Sequence, residues 1–350
     1  MKYINKLENK IMKNFDKNLK ITKIEELTGK IFFTSAACMS VWADALSWAN
    51  KHKARVVHDP KLSEYIVILS CQVTDLAVLN DFKVLKRYQR QYPGKKYYIS
   101  GCLARRADIN MPAGVDRLEL PSEDYEPLKD RSLVNFEPPF WVKNFNSQGS
   151  KYEDGHLFRN MYPLRIGRGC PFNCTYCTIR FTRGAFKRMD AYKKMEEEFL
   201  RFPDVLLIAD SPMPDQIKAW CAIAEKHNKP ISIRNIEPQI VMQCQKHLLV
   251  LARKKLLKVF HCPIQNNNPD VLRDMGRDVE ATLNTIEFAK KLKSLGVFIA
   301  TNIIIDYKDF PNDFDEIYQI YDYVSWNPLW EGKWDQKKAE KRFEYYEKKF

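Results

Sequence analysis

The sequence predicts an α/β protein of two domains, an N-terminal open parallel α/β sheet followed by a partial (β/α)6 barrel. Three observations point there. The chain has 350 residues, enough for two domains at about 100–200 residues each. Its first third repeats a strand–cysteine–helix pattern three times, and its second half alternates six short apolar strands with helical stretches. Hydrophobic residues make up 45% and aromatics 13% of the chain, which excludes a disordered or low-complexity protein. No apolar run is long enough to span a bilayer. The Lys-rich start lacks the apolar segment and cleavage site of an export signal, so a cytoplasmic setting is expected. There, nine cysteines suit metal or redox chemistry better than a disulfide framework.

Residues 1–29 read as a basic N-terminal extension, a solvated helix with Ile4, Leu7, Ile11, Phe15 and Leu19 at loose helical spacing. Residues 30–130 form the first domain. Lys30–Ser35, Glu64–Ser70 and Lys95–Ser100 are β-rich runs bounded by turn residues, followed by Cys38, Cys71 and Cys102 at separations of 33 and 31 residues. That is the length of one strand–helix unit. Parallel strands so connected end on one edge of a sheet, where open α/β sheets bind ligands, so the three cysteines converge. Residues 131–160, with Pro138, Pro139 and Asn144 to Ser150, read as a linker. Residues 161–332 carry the second series, with strands expected at 164–167, 205–210, 231–236, 259–264, 297–305 and 323–326. Residues 333–350 read as a charged terminal helix.

The first strand of this series runs into Cys170-Pro-Phe-Asn-Cys174-Thr-Tyr-Cys177. Three thiolates at Cx3Cx2C spacing suit three irons of a [4Fe–4S] cluster, leaving the fourth iron open to a substrate or cofactor. A structural zinc would need a fourth ligand at short spacing, and the nearest candidate, His156, lies in the linker. Cys221 and Cys244 sit in helical patterns and Cys262 at a strand, where buried packing is the expectation.

The Cx3Cx2C loop, with Tyr176 before its last cysteine, resembles the radical S-adenosylmethionine (SAM) superfamily. The wider pattern is similar to its methylthiotransferase family: Cys38 with Asp44; Ser70-Cys71-Gln72-Val73 with Ala77; Gly101 to Arg106; Gly114-Val115-Asp116; Gly169 to Cys177; Arg183-Gly184; His261 to Gln265; and Val271 to Arg277. This resemblance covers about residues 30–345. It implies two [4Fe–4S] clusters. Cys170, Cys174 and Cys177 would hold the one whose free iron chelates SAM, which one-electron reduction cleaves to methionine and a 5′-deoxyadenosyl radical. Cys38, Cys71 and Cys102 would hold an auxiliary cluster carrying the sulfur to be inserted, with a second SAM as methyl donor. Tyr176 would pack near the adenine, and Gln265 and Arg277 would belong to the cofactor's surroundings. No general acid or base is assigned, because the scheme requires no proton shuttle. The resemblance also implies a flavodoxin- or ferredoxin-like electron donor and a sulfur donor.

The chain also departs from the family pattern. Ala37 precedes Cys38 where the family has Gly, and Val41 replaces the usual Asn. Arg180 replaces Pro, Asn266-Asn267 replaces Ser-Gly, and Asp306 to Asn312 replaces a Gly-Phe-Pro-Gly-Glu turn. The family's C-terminal TRAM domain, a grip for tRNA or ribosomal protein, is expected to be absent. The formal charge of +13 is concentrated in two windows, 82–107 and 165–194, which together carry +15 and could guide an anionic substrate. The expected function is therefore sulfur insertion, as methylthio, at an unactivated C–H bond of a peptide or protein side chain. The alternative is the same chemistry on a tRNA adenosine, and a more remote one is a non-catalytic, metal-stabilised binding protein. No membrane partner is expected.

Overall fold

The computed structural model describes residues 19–35, 38–121, 127–128, 130–136, 161–308, 310–329 and 334–349. They form two compact units. One gathers the described residues up to 136 with 178–184 and 334–349; the other comprises 161–177 and 185–329. Most of the proposed basic extension, most of the linker and His156 lie outside the described residues.

The first unit is built on six parallel strands: β1 (Thr22–Lys23), β2 (Ile31–Ser35), β3 (Tyr65–Ser70), β4 (Lys96–Gly101), β5 (Val115–Glu119) and β6 (Val134–Phe136). Their order is β1-β5-β4-β3-β2-β6. Every residue of β2 and β3 is buried, as expected for parallel strands covered on both faces. This is why IFFTS and YIVILS read as continuous rather than alternating runs. Helices α1 (Met39–Lys51) and α2 (Asp75–Gln91) make the crossovers from β2 to β3 and from β3 to β4. Three strands of this unit lie outside the sequence reading: Val115–Glu119, which reads there only as a motif, and two short ones. Thr22–Lys23 falls in the proposed extension, and Val134–Phe136 falls in the proposed linker but pairs in parallel with β2. Elements of two and three residues are too short to display a period.

The second unit is interrupted in sequence by the short helix α3 (Ile179–Thr182), which belongs to the first. It carries β7 (Tyr162–Arg165), the ribbon strands β8 (Gly167–Arg168) and β9 (Lys187–Arg188), then β10 (Val205–Ile208), β11 (Ile231–Arg234), β12 (Leu257–His261), β13 (Phe298–Ile305) and β14 (Tyr323–Pro328). Strands β7, β10, β11, β12, β13 and β14 form one open parallel sheet in chain order, the architecture expected of an open (β/α)6 series. Helices α4 (Tyr192–Arg201), α5 (Pro214–Lys226), α6 (Pro238–Arg253), α7 (Pro269–Asp274), α8 (Val279–Ser294) and α9 (Asp315–Ile320) connect them. Strand β12 stops two residues before Pro263, which has no N–H for a ladder. Strand β10 stops before Asp210, whose carboxylate turns back to accept from Gly169 N–H at 2.7 Å.

The terminal helix α10 (Gln336–Lys349) packs in the first unit, not the second. Arg342 pairs with Asp75 in the first turn of α2 at 2.7 Å, and Trp334 stands edge-on to Phe82 at 5.9 Å. In sequence this stretch reads only as a charged terminal helix; the ion pair is made by residues 267 positions apart.

Candidate metal-cluster sites

In the second unit the cysteine loop leaves β8 through Gly169. Its φ is +75°, and a Cβ there would lie 3.0 Å from Ala185 O and Phe186 Cα, so glycine is required. The loop is held by backbone contacts. Thr175 N–H donates to Met275 O at 3.0 Å, Cys177 N–H donates to Cys174 O at 3.1 Å, and Thr175 Oγ1 donates to Asp274 O at 3.0 Å. Gly276, at φ +67°, lets this turn approach Thr175. The Met275-Gly276-Arg277 signature is thus the seat of the cysteine loop. Cys170, Cys174 and Cys177 are all half-buried, whereas Cys221, Cys244 and Cys262 are buried.

Arg277 fixes the far side of the loop. Its Nη2 donates to Pro263 O at 2.7 Å, while Nη1 reaches Tyr176 Oη at 3.3 Å, Cys174 Sγ at 3.9 Å and Glu237 Oε2 at 2.7 Å. Tyr176 packs against the apolar cluster of Val271, Met275, Ile304 and Tyr307. Burial pushes the Cys170 thiol up to about 12, with the Glu237, Cys174 and Asp210 charges adding to it against a backbone hydrogen bond at Phe172. Burial also raises Cys174, opposed by Arg277. Without a metal these thiols hold their protons, and ligation would displace them.

In the first unit each predicted cysteine sits one to three residues past a strand's C-terminal end. Cys38 occupies the N-cap of α1 and makes no side-chain cap bond, so its sulfur is not committed to the helix, whose positive dipole end lies beside it. Gly101, at φ +89°, ends β4; a Cβ there would meet Ser70 O at 2.6 Å and Val41 Cγ1 at 2.9 Å. Val41, the departure from the family's Asn, therefore walls the backbone just before Cys102. Cys102 N–H donates to Ser70 O at 3.2 Å, drawing two of the loops together. The Cys71 thiol is held well above its ordinary value by burial and then by its neighbours Cys38 and Cys102. The surroundings of Cys71 thus include both other cysteines of this set. Cys71 N–H donates to buried Asp81 at 2.8 Å, a residue missed in sequence because it reads as an ordinary helix position.

Residues following the three cysteines form a buried polar network. Arg106 makes a two-point pair with Asp108 at 2.7 and 2.6 Å and donates to Gln72 Oε1 at 2.9 Å. Gln72 donates in turn to Thr178 Oγ1. Asp44 pairs with Arg183, both side chains being nearly inaccessible to water. Asp44→Ala should cost about 3–5 kcal/mol, because it removes the carboxylate paired with a buried guanidinium. Urea unfolding monitored by circular dichroism measures this, and a loss under about 1 kcal/mol, the size of a surface pair, would show that the pair is not structurally important.

The strands' C-terminal ends in the second unit carry further polar groups. Asn235 N–H donates to His261 Nδ1 at 3.1 Å, so Nε2 holds the proton and donates to Asn302 Oδ1 at 2.9 Å. Burial, with Arg234 adding, brings His261 down to about 3, so it stays neutral and is not a proton shuttle near neutrality. Gln265 adopts φ +67°, held by Gln265 N–H to Asn302 O at 2.9 Å and Ile304 N–H to Gln265 O at 2.8 Å. Left-handed backbone at a non-glycine residue is often kept at functional sites. Sequence reasoning missed Glu237; its only signal was a carboxylate preceding Pro238 at a strand-to-helix junction.

The basic windows are less free than their count suggested. Arg105 pairs with Glu119, Arg106 with Asp108, Arg183 with Asp44, and Arg188 with Asp190 and Asp215. Most of these carboxylates lie outside the windows, so a tally along the chain could not see the neutralisation. No helix among the described residues is long and apolar enough to cross a membrane. Nor, among them, do three His, Cys, Asp or Glu side chains close around a single metal ion; a cluster places each thiolate on a separate iron. The two sets of three half-buried thiols have the donor chemistry of such clusters.

The radical SAM superfamily model matches residues 164–320, the strand series that carries the Cx3Cx2C loop, and this supports a radical SAM enzyme. Similarity extends through both units. A probable threonylcarbamoyladenosine tRNA methylthiotransferase of Pyrococcus abyssi is 27% identical over 323 residues, 83% of this chain and 72% of its own length. A ribosomal protein uS12 methylthiotransferase RimO of Clostridium kluyveri is 22% identical, covering 84% of this chain and 71% of its own. The threonylcarbamoyladenosine tRNA methylthiotransferase MtaB of Thermotoga maritima is 22% identical, with 73% of this chain and 62% of its own length covered. Among solved structures, Streptococcus suis SuiB bound to S-adenosylmethionine aligns at 13% identity over 57% of this chain and 51% of its own, with a TM-score of 0.33. The radical SAM match and the similarity to named methylthiotransferases both point to the radical SAM methylthiotransferase family.

Proposed function

We propose that this chain inserts sulfur, as methylthio, at an unactivated C–H bond, using SAM and two [4Fe–4S] clusters. The observation that carries this reading is the pair of half-buried cysteine triads, one at the C-terminal strand ends of the first unit's parallel sheet and one on the loop after β8 in the second unit, set apart from three buried cysteines. Cys170, Cys174 and Cys177 would hold the SAM-binding cluster, and Cys38, Cys71 and Cys102 the auxiliary one. A cluster held by Cys170, Cys174 and Cys177 would supply the electron for reductive cleavage of SAM.

The protein's own part is to bind, align and exclude water. Gly169, Asp210, Thr175 and Met275 hold the loop. Val271, Met275, Ile304 and Tyr307 form an apolar wall behind Tyr176. Tyr176, Gln265 and Arg277 would flank the cofactor. Gly101 and the Cys102–Ser70 backbone bond bring the second triad's loops together. Electrons would come from a flavodoxin- or ferredoxin-like protein, and sulfur from a separate donor.

The favoured target is a peptide or protein side chain. The ion pairing inside both basic windows lowers the charge left for nucleic-acid phosphates, and the RimO relative is named for a ribosomal protein. The second reading is tRNA, favoured by the name of the Pyrococcus relative. Mass spectrometry of peptides and tRNA nucleosides from cells with and without the gene tests both. The expected result is a CH3S group in place of hydrogen on a peptide. The same gain on a nucleoside would support the second reading, and no gain on either would contradict sulfur insertion.

A further inference from the structure

Arg277 makes more polar contacts than seating the cysteine loop requires. Its bond to Pro263 O already anchors the guanidinium, yet Nη1 is turned to a carboxylate, a phenol and the Cys174 sulfur together. The side chain is 2% exposed, so water scarcely screens its charge. Glu237 gives an independent indication. It stands at the N-cap of α6 but makes no cap bond to that helix; its carboxylate goes to Arg277 instead. A capping residue diverted from its own helix leaves a buried cation and a partly buried anion beside one thiol of the loop.

We propose that Arg277 and Glu237 set the reduction potential of the cluster held by Cys170, Cys174 and Cys177, Arg277 acting through the Cys174 sulfur and Glu237 limiting its effect. The inference rests on the cluster assignment proposed above. Reduction adds one electron, taken from an external low-potential reductant, and makes or breaks no covalent bond. The added negative charge is stabilised by a cation at a ligand sulfur, and charge and hydrogen bonds at the sulfurs set such potentials. Arg277 therefore raises the potential and Glu237 lowers it. Both are positioning residues: neither needs to touch SAM to act.

The opposite signs make the test specific, since mere loosening of the loop would move every variant the same way. The experiment is an anaerobic titration of the reconstituted full chain with titanium(III) citrate, following the electron paramagnetic resonance signal that changes when SAM is added. Glu237→Gln should raise the midpoint, and Arg277→Met should lower it, each by at least a tenfold change in the one-electron equilibrium, 59 mV. Arg277→Lys, which keeps the charge but not the fork, should fall between Met and wild type. Should Arg277→Met fail to load iron, the near-isosteric Glu237→Gln decides alone. Midpoints equal to wild type, or shifts of one sign for Glu237→Gln and Arg277→Met, would overturn the inference while leaving the cluster in place. Absence of any SAM-responsive signal in the wild-type chain would overturn the cluster assignment itself.

Discussion

Replacing Cys170, Cys174 and Cys177 together with Ala should abolish 5′-deoxyadenosine formation from SAM and dithionite, lowering it by at least about 100-fold, beyond the usual effect of losing an outer-shell partner. Each thiolate would bind a different iron, so no remaining residue can substitute for the set. The fold should survive. The three side chains are half-buried, and the loop is held by Gly169–Asp210 and Thr175–Met275 bonds that involve no thiol. Unchanged far-ultraviolet circular dichroism beside lost product, read by liquid chromatography, is the expected pair of results. Continued 5′-deoxyadenosine formation would remove this loop from the SAM chemistry.

Replacing Cys38, Cys71 and Cys102 should have the complementary effect: SAM cleavage continues and sulfur transfer stops. The triad lies in a different unit, on a different sheet, and nothing in the contacts of Arg277, Tyr176 or Thr175 passes through it. The measurement is 5′-deoxyadenosine and thiolated product from one reaction mixture. Retained sulfur transfer would show that these cysteines carry no inserted sulfur. The Asp44→Ala variant separates this chemical effect from instability, because it weakens the same loops while leaving all six thiols in place.

The parallel sheets were legible in the sequence because buried parallel strands are apolar throughout. Runs such as YIVILS announce themselves, and the strand–cysteine spacing then fixes where Cys38, Cys71 and Cys102 must meet. Strand ends were misplaced where the cause was a single residue, as at Pro263 and Asp210. The short strands Thr22–Lys23 and Val134–Phe136 gave no periodic signal, since their place in the sheet is decided by the neighbouring strand. Long-range pairs were hidden for the same reason. Arg183 looked like free positive charge until Asp44, 139 positions away, was found against it. Glu237 looked like a helix cap until its carboxylate was found on Arg277. Residue identity disclosed the donors; only the fold disclosed their partners.

The central claim is two clusters in one chain, and iron content after anaerobic reconstitution tests it most directly. Wild-type protein should hold about eight irons per chain, and the Cys38, Cys71 and Cys102 triple variant about four. A wild-type value of about four, unchanged in that variant, would contradict the account.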